Sequence, residues 1–299
     1  MPRPPANPHA LTLPRVIFVT GKGGTGKSTI AVALALALSR RHRVTLVEVD
    51  PRQATVRASA AIVDSSSNGA NQLTLTQLKP RGELEAFVEG IVPIKMIARK
   101  MLQSRTFGFV TTALPGLEAF LMLDRLRRIA VAQPHDRIVV DAPATGAALE
   151  MLAVADGVRE IAPFGTLHRL AEEVTEFLRR PDRFAVMLAL RPEMLTLRET
   201  IAAAKSLRAT GIACTTTILN GVTSALFAET ELARLDQLPA HQELARLRHT
   251  QAEAAKYVQR ELQRASLATV TLPTLYRATL GRAEFVSLAD TLEAEFITR

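Results

Sequence analysis

The chain has 299 residues, 47% of them hydrophobic, with a formal net charge of +8 and one cysteine. That length allows one large α/β domain or two small ones, and the apolar content is ample for a buried core. One thiol excludes an internal disulfide and any cysteine-only metal centre, which fits a reducing cytoplasm. No charge-free run reaches about 18 apolar residues, so no membrane-spanning helix is expected, and the basic balance, 30 arginines against 7 lysines without a dense basic block, makes nucleic acid an unexpected partner.

The first fourteen residues, MPRPPANPHALTLP, are proline-rich and lack a signal-peptide core, so they read as a flexible tail ahead of one domain spanning 15–299. VIFVT (16–20) is a β-rich run that leads straight into glycines, and residues 28–39 follow as an alanine- and leucine-rich helix. HRVTLVEVD (42–50) reads as a second buried strand stopped by Pro51. Residues 65–132 break the rhythm: no strand is legible there, SSSNGANQ (65–72) reads as a loop, and 82–110 and 116–132 read as helices split by Pro93 and Pro115. This region is expected to be a helical insertion. The strand rhythm resumes with DRIVVDAPATG (136–146), RFAVMLAL (183–190), CTTTILN (214–220) and LATVTLP (267–273), separated by helices such as 198–210 and 241–265. Strands alternating with helices predict a doubly wound, mostly parallel α/β sheet, and continuous apolar strands predict helices on both of its faces.

The chemistry concentrates in GKGGTGKS (21–28), which fits GxxxxGK[ST] between a strand and a helix. Backbone N–H groups of Gly21, Gly23, Gly24, Thr25, Gly26, Lys27, Ser28 and Thr29 are placed to wrap phosphates, and the helix adds the positive end of its dipole. Lys27 is expected on the β- and γ-phosphates and the Ser28 hydroxyl on Mg²⁺. Asp50 and Asp141 close predicted strands on the same sheet edge, where open α/β sheets bind their ligands. Asp141 is expected to hold the metal through water and Asp50 to orient an attacking water; each also makes sense as a plain cap or turn acid.

These residues carry a resemblance. KGGTGKST (22–29) resembles the deviant phosphate loop of the MinD, ParA, nitrogenase iron protein and ArsA superclass. VDPRQA (49–54), VVDAPATGAALEML (139–152), LRPEMLTLRET (190–200), ILNGV (218–222), LPTLYRATLGRAEFVSLA (272–289) and ALPGLEAF (113–120) narrow it to the ArsA family of arsenite-pump and tail-anchored-protein-targeting ATPases. The resemblance implies an ATP- and Mg²⁺-dependent ATPase fold, with Lys22 reaching across a dimer interface to the partner's nucleotide. It also implies γ-phosphate sensing by the backbone of Thr145 and Gly146, and adenine contacts from Asn220 and Pro273. A lysine in trans neutralises polyphosphate charge while joining two subunits, so ATP closes the dimer and hydrolysis opens it.

Several positions depart from the family. Ala147 stands where switch II usually carries histidine, and Arg52, Gln53 and Ala54 follow the D-P of switch I. The arsenite-binding cysteines and the zinc-bridging C-x-x-C are missing, so Cys214 alone predicts no arsenite activation and no zinc-held dimer. The expected role is an ATP-driven dimeric switch, as a homodimer or with a paralogue, that delivers a client: a membrane protein, or a step related to anion transport. IVPIKMIARKML (91–102) offers a methionine-containing basic face for a hydrophobic client or a membrane surface, although simple packing on the domain explains it as well. Two alternatives stand beside this reading: a ParA/MinD-type positioning ATPase on DNA or membrane, and an ATP-binding regulatory paralogue of an active sister subunit.

Overall fold

The computed structural model describes residues 13–49, 73–91, 116–224, 231, 239–277 and 279–296. Residues 1–12 of the expected tail, Asp50, Pro51, the 91–102 amphipathic stretch beyond Ile91 and the loop at 65–72 lie outside these residues.

The described elements run β1 (Val16–Gly21), α1 (Lys27–Ser39), β2 (Val44–Glu48), β3 (Leu73–Gln77), α2 (Pro80–Ile91), α3 (Leu117–Ala132), β4 (Arg137–Ala144), α4 (Thr145–Ile161), α5 (Thr166–Arg179), β5 (Phe184–Leu190), α6 (Met194–Ala209), β6 (Cys214–Val222), α7 (Pro239–Arg264), β7 (Thr269–Pro273) and α8 (Arg282–Phe296). The strands form one sheet in the order β3-β2-β4-β1-β5-β6-β7. Every pairing is parallel. The doubly wound architecture expected from the alternating pattern is therefore present.

Alternation along β1 shows how the sheet is covered on both sides. Val16 and Phe18 join a core with residues of α3, α4, α5 and α6, including Leu121, Leu152, Phe177 and Leu207. Ile17 and Val19 face the other way, into a core with Ile30, Leu34 and Leu38 of α1 and Phe285, Leu288 and Leu292 of α8. Helix α1 is apolar all round because it lies between the sheet and α8, and its Ile30–Leu38 stretch is buried throughout. Among the described residues no helix is long and apolar enough to cross a membrane.

The region expected to contain no strand needs a correction. LTLTQ (Leu73–Gln77) is a strand that pairs in parallel with β2, from Val44↔Leu73 to Glu48↔Gln77. Its residues are partly buried or exposed, as an edge strand's are, and it lacks the continuous apolar run by which the inner strands are read. Helix α3 also belongs to the main core, since Phe120, Leu121, Leu123 and Leu126 are buried in the cluster that holds Phe18 and Val140. Strand β4 runs three residues past Asp141, to Ala144, so this acid lies within the strand and not at its end.

Candidate functional site

The carboxyl ends of the central strands converge on the glycine loop between β1 and α1. β1 sits between β4 and β5, with Gly21 opposite Ala144 on one side and Ala189 on the other. A Cβ at Gly21 would come 2.2 Å from the Ala189 carbonyl oxygen, so only glycine lets the loop leave the sheet here. Gly26 has φ +88°, and a Cβ on it would fall 2.3 Å from Nδ2 of Asn220. Around Gly23 and Gly24, by contrast, an added Cβ meets nothing within 4 Å. The loop thus packs tightly on its protein side and leaves Gly23 and Gly24 facing open space on the other, ahead of α1, where N–H groups and the helix N-terminus suit an anion.

Several of the expected binding residues gather around the loop. The Lys27 side chain is buried at the first position of α1; desolvation lowers its pKa below the usual lysine value, and the nearby charge of Asp141 opposes that shift. The Ser28 hydroxyl donates to Oδ2 of Asp141 at 2.8 Å. A serine hydroxyl held on a buried carboxylate is a hard-oxygen pair suited to Mg²⁺ and its waters. Thr25 donates its hydroxyl to the Lys22 carbonyl at 2.8 Å and closes the loop on itself. Thr29 is partly buried in the first turn of α1. Thr145 and Gly146 begin α4 directly beyond β4, and nothing lies within 4 Å of a Cβ built on Gly146.

On the far side of the loop, Asn220 of β6 donates its side-chain amide to the Thr25 carbonyl at 2.9 Å. Pro273 ends β7, paired with Val222. Next to these two residues a cleft of about 280 Å³ is lined by Arg191, Gly221, Thr223, Thr274 and Tyr276, among others. This is room for a flat heterocycle beside the expected adenine contacts.

Lys22 has a partner within its own chain. Its Nζ lies 2.7 Å from Oε1 of Glu199 on α6, and the two side chains are 34% and 39% exposed. Glu199 falls in LRPEMLTLRET, yet sequence reasoning gave it no role. Three further site residues were missed. Thr20 donates its hydroxyl to the Pro143 carbonyl at 2.7 Å, tying β1 to the end of β4. Glu48 is buried at the end of β2 next to Asp141, and Gln77 donates its amide to Glu48 Oε2 at 3.1 Å. An acid inside the apolar run VTLVEV is a legible signal for Glu48; Gln77 had none, because its strand was not recognised. Asp50 lies outside the described residues.

Comparison with known proteins finds similarity to ATPases. The model of the anion-transporting ATPase family matches residues 14–162. ATPase BagA of Mycobacterium tuberculosis is 32% identical over 218 residues, covering 67% of this chain and 63% of the relative. The arsenical pump-driving ATPase of Escherichia coli is 25% identical over 236 residues, covering 70% and 40%. ATPase GET3 of Mycosarcoma maydis is 27% identical over 158 residues, covering 51% and 46%. The chain spans less than two thirds of the length of these curated relatives.

Proposed function

Since the chain belongs to the ArsA-like ATPase family, we propose that it binds MgATP at the glycine loop, hydrolyses it, and uses the cycle to close and open a dimer that delivers a client. The observation that carries the nucleotide reading is the Ser28–Asp141 hydrogen bond at 2.8 Å beside the buried Lys27. It joins the first turn of α1 to the switch II strand at the point where a metal–phosphate complex needs oxygen donors. Mg²⁺, when bound, offsets charge on the phosphate oxygens. The chain's own residues do the rest: loop N–H groups cradle the phosphates, Lys27 pairs with their charge, and Ser28 and Asp141 hold the metal and its waters. Asp50 orients the attacking water, and Asn220 with Pro273 faces the base.

Lys22 supports the dimeric part of the reading. Its pairing with Glu199 is an exposed ion pair, worth about 0–1 kcal/mol. The polyphosphate of a facing subunit offers far more negative charge, so the lysine is free to exchange partners. Thr145 and Gly146 begin α4, which ends at Ile161 beside a turn where Ile161 and Phe164 are exposed, Phe164 at 83%. That rod links the expected γ-phosphate sensor to an apolar surface suited to a hydrophobic client. The lone, half-buried Cys214 offers no multi-thiol metalloid site, and we place the protein in the cytoplasm on the same thiol usage.

The test is steady-state ATP hydrolysis with Mg²⁺ by the parent chain and by Lys27→Ala, with molar mass read by light scattering. Turnover in the parent that is lost in Lys27→Ala, together with an ATP-stabilised dimer, supports the reading. Undiminished turnover in Lys27→Ala removes the site assignment. Tight ATP binding without turnover or dimerisation transfers the case to a regulatory paralogue.

A further inference from the structure

The cleft next to Asn220 and Pro273 has an aromatic wall. Tyr276 follows the end of β7 at Pro273 and lines this space of about 280 Å³. Its ring is held in two ways. The Tyr276 hydroxyl shares a hydrogen bond with the Thr223 hydroxyl at 3.2 Å, and Thr223 shares another with the Thr274 hydroxyl at 3.0 Å. The Arg248 guanidinium of α7 lies over the ring, 4.3 Å from its centroid, as a cation–π contact. Tyr276 is nevertheless 59% exposed, so apolar burial does little to fix it. Arg248 does not line the cleft, whereas Tyr276 does; the guanidinium therefore covers the far face of the ring and leaves the near face turned to the cleft. An exposed ring pre-set at its hydroxyl and on one face is a stacking platform that loses little freedom when a flat ligand lands on it. The phosphate loop is close by, because Asn220, just ahead of Gly221 in the cleft wall, donates to the Thr25 carbonyl at 2.9 Å.

We propose that Tyr276 stacks on the base of the bound nucleotide and is a specificity-determining residue of the site, which takes purine nucleoside triphosphates as a class and separates adenine from guanine only weakly. The proposal rests on the nucleotide-site reading above and adds how the base is chosen. Stacking reads the area of a base and not its edge, since every base has a π-face and the larger purine face covers more of the ring. The polar groups of the cleft do not impose one edge pattern. The hydroxyls of Thr223, Thr250 and Thr274 and the amide of Gln251 line it, and each such group both donates and accepts. The two charged lining residues face each other's charge: Arg191 Nε lies 3.3 Å from Oε1 of Glu193. An edge that offers donors and an edge that offers acceptors therefore both find partners, and the stack decides. A purely architectural Tyr276, serving only to pin the chain after β7 to Thr223 and Arg248, has no such dependence on the base.

The two roles separate in titration calorimetry of the full chain with Mg²⁺. The ligands are the β,γ-imido analogues of ATP, GTP and CTP, which are not turned over, and inorganic tripolyphosphate, which has no base. The parent is expected to bind the ATP and GTP analogues within about tenfold of each other and the CTP analogue more weakly than either, the order of their stacking areas. Tyr276→Ala is expected to weaken the ATP and GTP analogues by about tenfold or more, the scale of one lost base stack, and to leave tripolyphosphate unchanged. Tyr276→Phe keeps the ring and is expected to stay within a few-fold of the parent. Thermal midpoints on the same samples report folding, and Tyr276→Leu replaces Tyr276→Ala should the latter not fold. The role of Tyr276 is overturned if its loss leaves the ATP analogue as tight as before, or if tripolyphosphate weakens along with the nucleotides, as a purely architectural residue would have it. The purine-class reading is overturned if the CTP analogue binds as tightly as that of ATP, or if the GTP analogue is more than about a hundredfold weaker. A parent chain that binds neither the ATP analogue nor tripolyphosphate better than Lys27→Ala removes the nucleotide site itself, an outcome distinct from all of these.

Discussion

Lys22 and Glu199 form an ion pair of 2.7 Å between residues 177 positions apart, joining the glycine loop to α6. The pair holds within one chain the lysine that the dimer reading sends across an interface. Glu199→Gln removes a competitor for that lysine. It is expected to leave stability within about 0.5 kcal/mol and to lower the ATP concentration at which the dimer forms, measured by light scattering. Lys22→Ala is expected to remain monomeric and to lose on the order of a hundredfold or more in turnover, the scale of a removed charge stabiliser. A dimer that forms equally well in Lys22→Ala contradicts the trans assignment.

The loop glycines divide by what lies behind them. Gly26→Ala places a Cβ at φ +88° and 2.3 Å from the Asn220 amide, so it should cost about 1–3 kcal/mol in thermal or urea unfolding. Gly23→Ala projects into open space. It should unfold like the parent yet bind ATP more weakly, because its methyl group would stand where the loop is proposed to take the phosphates. Equal losses of stability in both variants would contradict the difference in packing at the two glycines.

Acid sensitivity has a predictable contributor in His42. Burial, with Arg137 and Arg41 nearby, lowers its pKa below the ordinary histidine value. A base whose pKa is lower in the folded state takes up a proton on unfolding. Its contribution is therefore complete above about pH 6.5 and is lost as the pH falls through the lower folded value. Urea midpoints compared across that range should show a flatter acid limb for His42→Gln than for the parent.

Cys214 should be chemically quiet. Burial pushes its thiol up to about 12, with Arg208 opposing only in part. Since the thiolate is the reactive form, an aromatic disulfide reagent at neutral pH should modify the native chain far more slowly than the urea-unfolded chain. Arsenite should leave turnover unchanged. Cys214 is half-buried, so the raised pKa carries the protection, and rapid modification of the native thiol would contradict it.

Much of the fold was legible because its signals are local. Apolar runs such as VIFVT and FAVMLAL mark inner strands, and GKGGTGKS marks a strand–loop–helix turn, where Lys27, Ser28 and Asp141 do come together. The edge strand Leu73–Gln77 escaped notice because a strand covered on little of its surface needs no apolar run. Arg198–Thr210 was a fair reading of a helix that begins at Met194, four residues earlier. Helix α3 looked like part of an insertion because its neighbours in sequence carry no inner strand, although its Phe120 and Leu123 are fully buried in the main core.

By itself the sequence determined the backbone type of each inner segment, the order of the chemistry along the chain and the family. These follow from residue period, glycine placement and motif spacing, all of which act over a few residues. Only the tertiary structure decided which distant groups meet: Glu199 with Lys22, Asn220 with the Thr25 carbonyl, and Glu48 between Gln77 and Asp141. Those meetings depend on the strand order β3-β2-β4-β1-β5-β6-β7 and on its register. Strand order is a property of how two helix layers bury both faces of one sheet, and no local stretch of sequence encodes it.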